Sequence, residues 1–283
     1  MHEFANRQRN KEEGKCRARE IAIAKQSTQI QTTTVKVGSS RHGARNQHRH
    51  KHFAKWILST FPHIEKECSD SDSDGESTMH ILDVAGGKGE TSARLCLCHS
   101  LRVKMVDPRQ ADIASVYIKD VVPKLPNKWQ ASVYRRLEAS PTFVDDLLEK
   151  RFEQLVMPFV VPNNECLDWS QQNTAASLLE AVKNASLIIG LHADGATEAI
   201  VDAALHYSKP FVVVPCCVFP NLFCNRFLSI EDTDEVGHVR TRQIPVRTHE
   251  QFCEYLLKRD SRFKQVVLPF EGRNIAIWWD GKA

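Results

Sequence analysis

Hydrophobic residues along this chain become periodic only from about His50. "HFAKWILSTF" places Phe53, Trp56, Ile57 and Phe61 at spacings of three and four, which predicts an amphipathic helix. "MHILDVAGGKGETSARLCLC" reads as a short buried strand, Met79 to Val84, then a glycine turn. A helix from Glu90 to Cys98 follows and offers Ala93, Leu95 and Leu97 for packing. A second strand, "RVKMVDPR", ends at Asp107. "ADIASVYIKDVVPKL" reads as a helix interrupted by Pro123, and "PTFVDDLLEKRFEQLV" as a helix burying Phe143, Leu147, Phe152 and Leu155. A third strand is expected in "LVMPFVVP" or in "ECLDW". Clear periodicity returns at "ASLIIGLHADGATEAIVDAALHYSKPFVVVPCCVFP". It predicts a strand Leu187–Leu191 and a helix from Asp194 or Gly195 to about Ser208. A strand Phe211–Val214, closed by Pro215, completes the unit. Ile200, Ala203, Ala204 and Tyr207 share that helix's inner face.

A strand–helix–strand unit of this kind implies a parallel sheet. Its loops "HADG" and "PCCVFP" fall at strand carboxyl ends, where ligands bind in open α/β sheets. Near the end, Thr248 and Gln251 have the spacing of a capping box, and "KQVVLPFEGRNIAIWWD" reads as a terminal hairpin. Between Cys217 and Thr248 lies a mixed segment with Arg226, Arg240, Arg242 and Arg247, a substrate-facing lid or a solvated loop. "SDSDSDGES", Ser69 to Ser77, is an acidic linker. The expected fold class is therefore α/β, with one domain over residues 49–283 behind a disordered basic tail, residues 1–48.

Charge sharpens that division. Residues 1–52 hold 12 Lys or Arg against 4 Asp or Glu, and the remainder holds 26 against 31. His2, His42, His48, His50 and His52 also lie in this stretch. "RHGARNQHRHKH" can be read as a solvated surface, an arm for RNA or DNA phosphates, or a metal tract lacking an acid or thiol to complete it. No apolar run approaches the ~20 residues of a membrane span, so no membrane partner is expected. The first residues lack a secretory apolar core. Nine cysteines sit mostly in hydrophobic segments, which points to a reduced, cytoplasmic or nuclear protein.

The turn "ILDVAGGKGET" carries the chemistry. A phosphate-binding P-loop needs Gly where Leu82 stands and a hydroxyl residue where Gly89 stands. A dinucleotide fingerprint begun at Gly87 and Gly89 would need glycine at Ser92. Asp83-Val84-Ala85-Gly86-Gly87-Lys88-Gly89 instead matches D-x-[GA]-x-G-x-G. This resembles motif I of the class I S-adenosylmethionine-dependent methyltransferases. The resemblance implies a Rossmann-like sheet, mostly parallel with a C-terminal antiparallel hairpin, and S-adenosylmethionine as cofactor. It assigns Ala85, Gly86, Gly87 and Gly89 to the cofactor turn and Asp83 to the cofactor's cationic amino-acid end. Asp107, at the second strand's end, would take both ribose hydroxyls; its other reading is a turn-forming Asp before Pro108. If "ECLDW" ends the third strand, Asp168 could accept from the adenine amine.

The later loops resemble a narrower group. Gly190, Leu191, His192 and Gly195 match a GLHxxG loop, and Cys216-Cys217 match a Cys-Cys strand end. Both occur in transfer-RNA methyltransferases of the Trm-thirteen type and in several methyltransferase-like proteins. This chain departs from them at Asp194, where Cys is usual, and at Val218, where His or Tyr is usual. The likeness spans residues 79–107 and 186–220. It makes His192 and Asp194 the candidate catalytic bases, although His192 could equally hold the loop by hydrogen bonding. Cys216 and Cys217, if extended, point opposite ways, so structural burial and no metal site are expected. The leading functional reading is a methyltransferase whose acceptor the sequence does not name, with RNA, transfer RNA included, favoured and reached partly through the basic tail. Because [DN]-P-P-[YF] is absent, a non-catalytic nucleoside- or RNA-binding module is the alternative. A nicotinamide-dependent oxidoreductase is disfavoured by Ser92 and the terminal hairpin.

Overall fold

The structure, a computed structural model, describes residues 48–69, 79–159, 176–233 and 239–282. The elements run α1 (Arg49–Thr60), α2 (His63–Glu67), β1 (His80–Val84), α3 (Glu90–Ala93, extended by a π turn over Arg94–Cys98) and β2 (Val103–Val106). Then come α4 (Ile113–Val116, extended by a π turn over Tyr117–Val121), α5 (Asn127–Ala139), α6 (Phe143–Arg151), β3 (Phe152–Leu155) and α7 (Ala176–Lys183). The chain continues through β4 (Ala185–Leu191), α8 (Thr197–His206), β5 (Phe211–Val214), β6 (Phe227–Thr233), β7 (Val239–Pro245), α9 (His249–Leu257), β8 (Lys264–Val267) and β9 (Ile275–Trp279).

Seven strands form one sheet in the order β3-β2-β1-β4-β5-β9-β8. The first five are parallel, and β9 runs antiparallel to both β5 and β8. This is the expected mostly parallel, Rossmann-like sheet with a reversed terminal hairpin. Its central strands are buried on both faces, so they are nearly continuously apolar, as parallel strands covered by helices must be. Side chains alternate between the two layers. Leu82, Ile188 and Val213 pack with α7, α8 and α9, whereas Ile81, Leu187, Ile189 and Val212 pack with Phe53 and Ile57 of α1, Phe61 just after it and Ile64 of α2. The predicted inner face of α1 is thus buried, and Trp56 sits edge-on to Trp278 of β9 at 5.7 Å between ring centroids. Among the described residues no helix is long and apolar enough to cross a membrane.

Three expectations change. The helix containing Phe143 stops at Arg151, and Phe152 to Leu155 form β3 beside β2. The third strand therefore ends where "LVMPFVVP" begins, and "ECLDW", with Asp168, lies outside the described residues. The segment between Cys217 and Thr248 is not a plain loop, because β6 and β7 pair as a two-stranded antiparallel sheet. Arg226 is buried there rather than facing solvent, on Glu198 at 2.7 Å and under the Phe223 ring at 3.8 Å. Most of the basic N-terminal segment lies outside the described residues, but its last part is helical. His50 is half-buried with Nδ1 2.8 Å from Thr91 Oγ1, and loss of water around it pushes its pKa down to about 4. It therefore adds no charge to the basic segment near neutral pH.

The capping box is present as expected: Thr248 accepts from the Gln251 amide, and the Gln251 side chain accepts from the Thr248 amide at 3.0 Å. Thr248→Ala should cost about 1 kcal/mol, the usual loss for an N-cap. A urea midpoint unchanged from the parent protein would show that α9 does not depend on its cap.

Candidate functional site

The glycine turn leaves β1 through three left-handed residues, Ala85 (φ 54°), Gly87 (φ 63°) and Gly89 (φ 84°). The Ala85 amide still donates to the Val106 carbonyl of β2 at 2.7 Å, after which the chain turns away. The two glycines before the lysine serve different ends. A Cβ on Gly86 would lie 2.6 Å from Met105 Sδ and 2.9 Å from Asp83 Oδ2, so packing excludes it. A Cβ on Gly87 would meet only the Arg109 guanidinium at 3.8 Å, so that glycine faces open space. Open space beside a left-handed glycine is where a ligand can approach the backbone closely.

Asp107 closes the other side. Its Oδ2 accepts from the Gly87 amide at 2.9 Å, and its Oδ1 accepts from the Arg109 amide at 2.9 Å and from Arg109 Nε at 3.1 Å. Burial works against its charge, but hydrogen bonds from Arg109 and Gly87 outweigh it and hold the carboxyl below its usual range. The Arg109 side chain is 76% exposed, so it forms a solvent-facing cover over a buried acid. Gln154 of β3 fixes the loop beneath it, accepting from the Ala111 amide at 3.0 Å and donating to the Arg109 carbonyl at 2.8 Å. Gly87, Lys88, Arg109, Asp112 and Ser115 line a cleft of about 250 Å³.

Asp83 lies under the turn and is 1% exposed. It accepts a 2.6 Å hydrogen bond from Ser92 Oγ of α3. Burial, against the help of Ser92 and reinforced by Asp107, raises its pKa from 3.8 to about 7. Ser92, which argued against a dinucleotide loop, is thus the group that ties the strand end to the helix.

At the neighbouring strand ends, His192 (φ 57°) and Asp194 (φ 48°) are also left-handed. His192 Nε2 lies 2.8 Å from the Arg273 carbonyl in the terminal hairpin. A carbonyl only accepts, so Nε2 carries the proton and Nδ1 is left as the acceptor. Burial lowers the His192 pKa. Cys216 and Cys217 do not diverge as an extended strand would make them. Pairing of β5 ends at Val214, Pro215 follows, and the two sulfurs lie 3.5 Å apart. Cys216 Sγ donates to Asp194 Oδ1 at 2.9 Å. Pro215 is anchored by His249 at 2.9 Å, and the Val218 carbonyl by Arg226 at 2.8 Å, so the Cys-Cys loop is gripped on both flanks.

Of the predicted turn residues Gly87 lines the cleft; Gly86 and Gly89 are held by packing against Met105 and Ile113, Asp107 bonds to the Gly87 amide, and Asp83 is buried beneath the turn. His192 and Asp194 stand on the adjacent loop, and the Asp194 charge reaches Arg109, helping to raise its pKa after the larger effect of Asp107. Sequence reasoning missed Arg109 and Gln154. The first stood two residues after Asp107 in "DPR"; the second carried no signal because its strand went unrecognised.

No protein-family model and no curated protein matches the sequence. Among solved structures, the methyltransferase domain of bacterial CtHen1 is similar at 10% identity and a TM-score of 0.40, covering 83% of this chain and 98% of its own. The glycopeptide N-methyltransferase MtfA, complexed with sinefungin, is similar at 11% identity and a TM-score of 0.33, covering 87% and 97%. DesVI of Streptomyces venezuelae gives 12% identity and a TM-score of 0.33, covering 84% and 92%. Likenesses this distant leave function to the chain's own residues.

The Asp83 pKa sets a pH dependence. Below pH 3.8 both folded and unfolded states hold the proton. Between 3.8 and about 7 the folded state keeps a proton that the unfolded state releases, so stability falls as pH rises. The full rise corresponds to roughly 4 kcal/mol at most. Asp83→Asn keeps an acceptor for Ser92 and should flatten that slope in urea unfolding between pH 4 and 7.5. A variant with the parent's slope would remove Asp83 as its source.

Proposed function

We propose that this chain binds S-adenosylmethionine and transfers its methyl group to an acceptor. The observation that carries the reading is the Asp107 carboxylate, one residue past β2, bonded to the amide of a left-handed Gly87 whose side-chain direction is open except for Arg109. A nucleoside needs this pair. The acid can take two ribose hydroxyls, and the side-chain-free backbone lets the sugar approach. A triphosphate fits poorly, since Glu90 follows the turn and its Oε1 is held by Arg94 at 2.9 Å and Lys124 at 3.1 Å. The exposed Arg109 guanidinium would swing off Asp107 to widen the cleft. Residues Ala85, Gly86, Gly87 and Gly89 would cradle the ligand, with Asp83 as the buried acid behind them.

S-adenosylmethionine supplies a methyl group already activated on a sulfonium, so the protein's task is mainly alignment. His192, with Nε2–H fixed on Arg273, presents Nδ1 as a base for an acceptor that must lose a proton. Asp194 is engaged by Cys216 and would act beside it rather than alone.

The finer reading is an RNA acceptor. It draws support from α5, which exposes Lys128, Trp129, Tyr134, Arg135 and Arg136, a mixture of cations for phosphates and aromatic faces for bases. The basic N-terminal segment would add sequence-independent affinity.

Isothermal titration should detect S-adenosylmethionine or its demethylated product. Gly87→Val should abolish binding, because a branched side chain would fill the open face. Asp107→Ala should weaken it by roughly 1–3 kcal/mol, the loss of hydrogen bonds to a charged group. Binding of NAD with no response to either sulfur nucleoside would overturn the reading, and parent-like affinity in a folded Asp107→Ala protein would overturn the ribose role.

RNA affinity should fall with salt, with a slope near −0.7 per single-strand phosphate neutralised. Both affinity and slope should shrink in Arg135→Ser/Arg136→Ser and in a chain starting at Arg49. Equal filter-binding curves for all three proteins would remove the RNA reading and leave methyl transfer to a different acceptor.

A further inference from the structure

Cys216, Cys217 and Asp194 bring their ligand atoms within 4.8 Å of one another at the carboxyl ends of β4 and β5. The arrangement is imposed by the fold. Pro215 ends β5, His249 and Arg226 hold the loop on either side of the pair, and the left-handed Asp194 turns its carboxylate onto Cys216. Two thiols and a carboxylate then converge, with Cys216 bonded to Asp194 and 3.5 Å from Cys217, while the charges of Arg273 and Arg109 reach Cys217 and Asp194 from nearby.

We propose that Cys216, Cys217 and Asp194 form a binding site for a soft divalent cation of the zinc class, with a coordination position left for an exogenous donor. Bond lengths of about 2.3 Å to sulfur and about 2.0 Å to oxygen in a tetrahedron require separations of about 3.8 Å between sulfurs and about 3.5 Å from sulfur to oxygen. The distances present are 3.5 Å between sulfurs and 2.9 Å from Cys216 Sγ to Asp194 Oδ1. These two separations must open by about 0.3 Å and about 0.6 Å to admit the ion, and the remaining pair already lies within 4.8 Å. Thiolate donors favour zinc over magnesium or calcium, which take oxygen ligands. Three protein donors with a fourth position open is the pattern of a catalytic rather than a structural site. Asp194 is exposed and the cysteines half-buried, so the open position is within reach of solvent and solute. Binding forms two metal–sulfur bonds and one metal–oxygen bond and releases the two thiol protons to solvent; no oxidant takes part.

This site stands independently of the methyl-donor reading, and its test does not use activity. The full chain, reduced and stripped of metal, is titrated with Co²⁺ and then with Zn²⁺. One Co²⁺ should bind with thiolate-to-metal charge-transfer absorption, and Zn²⁺ should displace it. Cys216→Ser and Cys217→Ser should each weaken Zn²⁺ binding by more than the roughly 100-fold that loss of an outer partner costs. Asp194→Asn should weaken it while keeping the sulfur absorption. Cys224→Ser, an exposed cysteine elsewhere, should change nothing. In the parent chain, Zn²⁺ should protect Cys216 and Cys217, and not Cys224, from alkylation mapped by peptide mass, a readout that requires no variant to fold. The proposal is overturned by binding without thiolate absorption, as the N-terminal histidines alone would give. It is equally overturned by sulfur absorption that survives Cys216→Ser and Cys217→Ser, by unchanged affinity in Asp194→Asn, or by absence of protection.

Discussion

The buried hydrogen bond between Asp83 and Ser92 sets the geometry on which the cleft depends. It joins the last turn of β1 to the first turn of α3, so residues 85–89 must reverse the chain within a fixed span. Left-handed conformations at Ala85, Gly87 and Gly89 accomplish the reversal, and the Gly87 amide emerges facing Asp107. A carboxyl sealed from water resists ionisation, which is why its pKa climbs toward neutrality. A cationic group arriving above the turn would reverse that effect.

What the sequence revealed, and what it hid, follows from how local each signal is. The turn, Asp107, the β4–α8–β5 unit and the Thr248 cap depend on residues a few positions apart, so spacing alone exposes them. Strand β3 was hidden because none of Phe152, Glu153, Gln154 and Leu155 is fully buried and no turn residue separates it from α6. Strands β6 and β7 carry Ser229, Glu231, Thr241, Arg242 and Gln243 around Leu228, their single buried residue among those described, a pattern too polar to mark a strand. The convergence of Cys216 and Cys217 could not be read from their adjacency, since it requires the strand to end at Val214. Arg226 was seen as a loop charge because its partner Glu198 lies far back in the chain.

Charges across the mouth form one connected arrangement. Asp107 is neutralised by an arginine that is largely in solvent, and Asp194 stands near enough to act on that same arginine. Displacing Arg109 by a neutral sugar would uncover Asp107 while leaving the guanidinium free to engage Asp194 or an anionic acceptor. Only the arginine is exposed; when its side chain leaves, the buried Asp107 keeps the Gly87 and Arg109 amides as donors until a ligand hydroxyl arrives. Under the proposed reading, Arg109 is therefore a gate whose closed state protects a buried acid and whose open state changes the charge seen by the acceptor.

Non-glycine residues in left-handed conformations are unfavourable by about 1–3 kcal/mol each, yet Ala85, His192 and Asp194 all adopt them at strand carboxyl ends. The parallel ladder supplies the compensation. The Ala85 amide bonds to Val106 of β2, and the His192 amide bonds to Val214 of β5, each one residue beyond its own strand. Pairing is thus carried past the end of regular structure, and the chain must then turn sharply to leave the sheet. Because neighbouring parallel strands end at the same level, these turns arise side by side. The constraint that strains the backbone is also the one that assembles the glycine turn, the histidine loop and the cysteine pair along a single edge.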